Sequence, residues 1–562
     1  MLPLVTLLAA FTSLTLARSP YDVPKAEWDA LNTTVGGRLA YGVPLARSCF
    51  AQAGVNVTGS AMDCATVQAK YGLDTFRVTQ FGATMRTQWE TCQKTSQGCL
   101  LDATKPSNAA AFSAPRVCNQ GSVPPYYISV KTAADVTQAF SFSARTGVPL
   151  SIKNTGHDFA GKSMAPGTLS LWTHNIKYIN YSTTFVPEGC SVPGVPALTY
   201  GAGQDMDSLF LFAETNNITF IGGSAKTVGA AGGWLMGGGH SVLSNTYGLG
   251  VDRVLQFKIV TPDGQMRTAN ACKEPDLFWA LRGGGGGTFG VVLEATSEVV
   301  PQRVATWALK WQLNPTTDVQ GLAKVIVANS LQWSRDGWGG YIYPTTSILA
   351  NPKLNATQAS ASLKPLTDFI KSSGGTSSWT RHESFLPLYT DIMSSPVAVG
   401  INGAIASRLV SQNVFIQNQT ALLDATLKTL TLSEGRAAFY MTTPYSYPAK
   451  VNATSVTPAW RGAVWHVVTA AEWGWNADVD TIKKTYINVN ATMGPLRDLT
   501  PGGGAYQNEA NVYESNAVAA FWGWPNYTRL YGIKQRYDPK GLLNCFHCVG
   551  WQPTMQISSC YF

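Results

Sequence analysis

The run Asp276–Thr296, DLFWALRGGGGGTFGVVLEAT, decides how the chain is to be folded. Five consecutive glycines ordinarily suggest a flexible linker. Here DLFWALR reads as a helix leading in, and FGVVLEAT reads as a strand leading out. Gly283–Gly287 therefore sit at a helix-to-strand junction inside a folded domain. Glycines at such a junction permit positive φ and close backbone approach, and successive backbone N–H groups can line an anion site.

Upstream lies a second glycine-dense block, TVGAAGGWLMGGGHSVLSNTYGLGVDRVLQFKIVTPDG, at residues 227–264. From Pro124 to that block the texture alternates. A short strand begins at Tyr126, and TAADVTQAFSFSARTG reads as an amphipathic helix ending at Gly147. Strands are expected at PLSIKN, TLSLWT, ALTYGAG and ITFIGG, with a helix at Met206–Asn216. This alternation indicates α/β architecture for residues 120–301. Residues 302–501 have fewer glycine clusters, strands such as GYIYPTTS and AAFYMTTPY, and helices near 317–333, 419–430 and 479–492. They read as a second, α+β domain, after which residues 502–562 return to motif-rich sequence.

At 562 residues the chain exceeds what one hydrophobic core organises. Apolar residues make up 45% and charged residues 13%, which excludes a disordered chain. The net charge of +8 is spread without a basic stripe, so nucleic acid is not an expected partner. MLPLVTLLAAFTSLTLA reads as a signal peptide cleaved after Ala17, leaving no membrane segment. Nine N-x-S/T sequons, at Asn32, Asn56, Asn180, Asn217, Asn355, Asn418, Asn452, Asn490 and Asn526, fit a secreted, N-glycosylated protein. Ten cysteines allow up to five disulfides; five fall in residues 49–118 and three in the last eighteen, as if stapling the ends of the chain. Residues 18–119 form a Cys-rich N-terminal region. Cys545-Phe-His-Cys548 has C-x-x-C spacing but no partner pair at zinc spacing, so it reads as structural and no metal is expected.

The chemistry begins at SIKNTGHDFAGKS, residues 151–163, where a strand stops at Gly156 and His157 follows at once. Neither G-x-S-x-G nor H-E-x-x-H occurs. The Gly237–Gly239 run supplies no dinucleotide fingerprint with a ribose-binding acid. What is left is a glycine-lined groove for a long phosphate-containing ligand with a histidine at its edge, which is consistent with a flavin.

NTGHDFAGKS resembles the flavin-attachment turn of the vanillyl-alcohol-oxidase-like flavoproteins, in particular the berberine-bridge-enzyme-like, oxygen-dependent FAD-linked oxidoreductases. The 227–264 block is similar to that family's second flavin segment. DLFWALRGGGGGTFGVV resembles a family signature, and YQNEAN with RYDPKGLLNC resembles its C-terminal segment. These motifs cover about residues 120–300 and 505–550. The implied fold is α+β: a PCMH-type two-subdomain FAD-binding domain, completed by residues 502–562, with an inserted substrate domain built as an antiparallel sheet covered by helices.

The resemblance implies FAD bound covalently through His157. Its cradle is expected from Asn154, Thr155, Gly156, Asp158, Gly223, Ser224, Thr227, Val228, Gly229, Gly232, Gly233, Gly239, His240 and Asn508. Where many members place a second flavin-linking cysteine, this chain has Ala225, which implies one covalent bond. Val228 is expected beside the flavin on the oxygen side, or as a core contact. Tyr506 is a candidate base if a strand puts it on the same face as Asn508, or else a packing tyrosine. His466 is a second candidate base, or a buried core histidine. Asn511 stands where the family pattern has Asp, which argues against an acidic role there. The implied activity is oxidation of a C–H bond of a small organic molecule with O2 as acceptor, giving H2O2, in natural-product tailoring by a fungal-type monomer. Carbohydrate oxidation and non-redox cyclisation or isomerisation on the flavin scaffold are the alternatives.

Overall fold

The segment TAADVTQAFSFSARTG forms a helix over Ala133–Thr146. Its start is fixed by the Asp135 carboxylate, which accepts the Thr132 and Lys131 amides at 3.0 and 2.9 Å. It stops at Gly147, whose φ of 78° caps the last turn. The inner face, with Val136, Ala139 and Phe140, packs between two sheets. The computed structural model describes residues 18–57, 59, 62–313, 319–392, 398–553 and 556–562. The expected signal peptide, 1–17, lies outside the described residues.

The first sheet has the strand order Leu39–Tyr41, Tyr126–Ser129, Leu169–Trp172, Leu150–Lys153, and its last three strands run parallel. The second is antiparallel, in the order Met266–Asn270, Val254–Val260, Val291–Glu298, Val195–Gly201, Ile179–Phe185. Both share one hydrophobic core with the helices Ala133–Thr146, Met206–Thr215 and Pro275–Leu281.

Residues 302–501 carry a seven-stranded antiparallel sheet. The period of two sorts its strands cleanly. Leu309, Leu349, Trp465 and Val467 face a core with the helices Val319–Asp336, Lys364–Ser372, Gln419–Leu432 and Val479–Thr492. Tyr341, Ile348, Ile405, Val468 and Ala470 face the other way, into a cavity. With helices on one face and a cavity on the other, this α+β arrangement agrees with the expected fold class.

Three expected strands are corrected. ITFIGG carries a single bridge, Thr219 to Val300, and then threads close against the neighbouring helix, where a Cβ on Gly222 would strike Phe210 and Met206. GYIYPTTS is a hairpin: Gly339–Ile342 ends before Tyr343-Pro344, and the return strand starts at Thr346. AAFYMTTPY is a strand only over Ala438–Tyr440.

The C-terminal segment crosses back to the first core. Its helix Trp524–Tyr537 packs on Pro275–Leu281, and Leu543 bridges Leu150 in parallel. All ten cysteines pair: 49–64, 92–560, 99–118, 190–272 and 545–548. The 92–560 bond ties the two ends together. No helix among the described residues is long and apolar enough to cross a membrane.

Candidate active site

A cavity of about 710 Å³ opens where the 154–163 turn, both glycine junctions, the 505–509 segment and the open face of the seven-stranded sheet meet. That volume suits a cofactor together with a small ligand, since such sites run ~300–1,000 Å³. The glycine junctions touch each other here: a Cβ on Gly286 would lie 3.1 Å from Cα of Gly233. The five-glycine run turns from helix to strand through φ values of +137° at Gly283, +99° at Gly285 and +73° at Gly287, a region that favours glycine.

Of the residues expected from sequence, Asn154, Thr155, Gly156, His157, Asp158, Ser224, Val228, Gly229, Gly232, Gly233, His240, Tyr506 and Asn508 line the cavity, as does Ala225. Four do not. Thr227 stands behind His157, Gly223 and Gly239 pack against Trp234, and His466 is fully buried in its strand.

His157 is held by a chain of polar contacts. Its Nε2 lies 2.7 Å from Thr227 Oγ1, and that hydroxyl donates to Asp74 Oδ2 at 3.3 Å. Asp74 also lies 3.6 Å from Lys226 Nζ. With its proton given to Asp74, Thr227 Oγ1 accepts from Nε2–H, which leaves Nδ1 as the imidazole lone pair. Burial draws the imidazole down to about 4, the Asp74 charge opposing and Arg86 adding to the shift. It is neutral, and so nucleophilic, at ordinary pH. Asp158 is spent on local structure, accepting the amides of Ala160, Gly161 and Ser163.

Tyr506 and Asn508 do not share a strand; residues 505–510 form a turn in which the Glu509 amide donates to the Tyr506 carbonyl at 2.9 Å. The turn still joins them: Asn508 Nδ2 lies 2.8 Å from the Tyr506 hydroxyl and 2.7 Å from the Gly233 carbonyl. Burial pushes the Tyr506 phenol well above its ordinary value, and the Glu509 charge adds to this. His466 is drawn down to about 3 by burial. Asn511 is structural, with its side chain donating to the Tyr486 carbonyl and accepting from the Tyr513 amide.

Glu509 had no role in the sequence reading, although it lies inside YQNEAN. It lines the cavity, with His240 Nε2 at 3.1 Å from Oε1 and His466 Nε2 at 3.7 Å from Oε2. Arg86, Tyr341, Tyr343 and Tyr440 also reach the wall from elements distant in sequence.

The residues present fit a flavin nucleotide. Asn154 Oδ1, Ser163 Oγ and Gln507 Oε1 are buried in residues of the cavity wall without a hydrogen-bond partner among the described residues. A Cβ on Gly233 or Gly287 would meet nothing within 4 Å, so both backbones front open space.

Comparison with known proteins agrees. Residues 124–270 match the family model described as FAD binding domain, and residues 505–548 match berberine and berberine like. The chain is 39% identical to FAD-linked oxidoreductase ffsJ of Aspergillus flavipes, covering 93% of this chain and 92% of its relative. It is 38% identical to FAD-linked oxidoreductase cheF of Chaetomium globosum, over 94% and 86%. The crystal structure of the VAO-type flavoprotein MtVAO615 from Myceliophthora thermophila superposes with a TM-score of 0.82 at 26% identity, over 95% of this chain and 96% of that one. The chain is an FAD-dependent enzyme and belongs to the FAD-linked oxidoreductases, the VAO-type and berberine-bridge-like flavoproteins.

Proposed function

We propose that the protein is a secreted oxidase that removes hydride from a C–H bond of a small organic alcohol or amine, with O2 as the electron acceptor, in natural-product tailoring. The observation that carries this reading is His157, a neutral imidazole locked by Thr227 at the rim of a glycine-lined cavity. Bound there, FAD supplies hydride acceptance and passes the two electrons to O2 as H2O2. Residues 120–301 and 502–562 hold it, and residues 302–501 close the substrate side.

His157 Nδ1 carries the covalent link to the 8α position. Ala225 offers no thiol for a second link, and every cysteine of the chain is held in a disulfide. Asn154, Ser163 and Gln507 offer their unpaired atoms to the cofactor. Tyr506 and Asn508, bonded to each other, orient the bound groups. Val228, short and stiff at χ1, leaves a narrow approach for O2. A Val228→Leu variant whose reduced flavin reoxidises as fast as the parent's removes that residue from the path.

Six of the sequon asparagines, Asn56, Asn180, Asn217, Asn355, Asn418 and Asn452, are exposed, which supports glycosylation on a secretory route. A substrate screen coupled to peroxide detection tests the function. Anaerobic bleaching of the flavin without peroxide in air points to a dehydrogenase, and turnover without bleaching points to a non-redox catalyst.

A further inference from the structure

The cavity needs a group to receive the substrate's hydroxyl proton as hydride departs. Most of the ionisable groups on its wall are already committed. Asp158 holds three backbone amides. Asp391 stands 3.3 Å from His382. Burial pushes the phenols of Tyr341, Tyr440 and Tyr506 far up, and their oxygens stay protonated. Lys162, drawn down to about 8 by burial, remains mostly protonated near neutrality.

Glu509 differs on three counts. Its side chain is 21% exposed and lines the cavity, whereas His466 behind it is fully buried. An ionised carboxylate only accepts, so the 3.1 Å contact to Oε1 makes His240 Nε2 a donor. Its Oε2 is buried on the His466 side without a hydrogen-bond partner among the described residues, and the terminal torsion of a glutamate is broad enough to exchange the two oxygens. Burial works against the charged form, but the contact with His240 outweighs it and holds the carboxyl below its ordinary range.

We propose that Glu509 is the catalytic base, a carboxylate held by His240 and backed by the buried His466, that takes the hydroxyl proton of a neutral alcohol. This rests on the oxidase reading above. The substrate O–H bond breaks and its proton goes to a Glu509 oxygen. The C–H bond breaks with its hydrogen leaving as hydride, which bound FAD would accept, and the C=O bond forms. The two electrons would then reduce O2, which leaves as H2O2 with two protons, one from Glu509 and one from the hydrogen transferred as hydride. The sum is R2CHOH + O2 → R2CO + H2O2.

The test uses the purified FAD-loaded enzyme with benzyl alcohol, vanillyl alcohol and cellobiose as probes, mixed without oxygen. Glu509→Gln should keep its flavin and be reduced by dithionite like the parent, yet be reduced by alcohol at least ~100-fold more slowly. The parent rate should fall on the acid side through one group, and the Gln variant should lack that limb. The groups facing Glu509 are His240, His466, Tyr341, Tyr343, Tyr440 and Tyr506. Glu509→Asp should lose about tenfold and keep the acid limb; it decides the matter if the Gln variant does not accumulate. Either variant at the parental rate overturns the base, as does a Tyr506→Phe loss that exceeds that of Glu509→Gln. A stoichiometric transition metal in the holoenzyme would make the two histidines and Glu509 a metal site and overturn it as well. If no probe reduces the parent, the oxidase reading falls, and this proposal with it.

Discussion

A single hydroxyl sets the chemistry of His157. Thr227 Oγ1 sits between the imidazole and Asp74, so the ring is held in one tautomer with Nδ1 free to bond. In Thr227→Val the shape survives and the relay is gone. Most of the FAD should then become extractable in acid while total FAD per protein stays close to parental. Peptide mass spectrometry of the acid-denatured parent should find flavin on the His157 peptide and on no cysteine peptide. Flavin that stays covalent in Thr227→Val would refute the relay. His157 and Ala225 were legible because a contiguous motif carries them. Asp74 was not, since it reaches Thr227 from the stapled N-terminal region, 153 residues away. Glu509 lies inside YQNEAN, but only the fold brings His240 and His466, distant in sequence, up to its carboxylate.

At the scale of elements, the glycine junctions do two different jobs that can be separated by experiment. A Cβ on Gly283, at φ +137°, would lie 2.1 Å from the Val456 amide nitrogen. Gly283→Ala should cost about 3 kcal/mol or more and lower the thermal midpoint by several degrees. A Cβ on Gly233 meets nothing within 4 Å, and that residue lines the cavity. Gly233→Ala should therefore keep the parental melting curve of the flavin-free protein and lose FAD occupancy. Equal melting losses in the two variants would show that both glycines serve packing alone. The helix and strand flanking the five glycines follow from periodicity and were expected correctly. ITFIGG was misread because an apolar run of six looks the same whether it joins a sheet or threads between a helix and a neighbouring loop. GYIYPTTS reads as one strand only if Pro344 continues it, and proline seldom does, so the chain turns there into a hairpin.

For the whole molecule, the buried histidines couple folding to pH. Burial draws His174, His466 and His547 down to about 4, 3 and 4, and lowers His382 against the opposing charge of Asp391. His157 is left out, because its ring carries the proposed flavin link. In the unfolded chain all four return to an ordinary value near ~6.5. Above that pH both states are neutral at these sites and their contribution to stability is constant. As the pH falls below it, the unfolded chain takes up protons that the native imidazoles refuse, so stability is lost from about pH 6.5 down towards the native values. Each histidine contributes a slope of at most ~1.4 kcal/mol per pH unit in that window. The Cys92–Cys560 bond does not offset this, because a crosslink limits the unfolded ensemble without changing which groups titrate. The melting temperature of the holoenzyme should therefore be level from pH 8 to about 7 and fall steadily from about 6 to 4.5. His466→Gln removes one of the four, and its curve should be shallower over the same range. A parent whose melting temperature rises on acidification from neutrality would show that these imidazoles are charged in the native state, which contradicts the burial on which both this slope and the bracing of Glu509 depend.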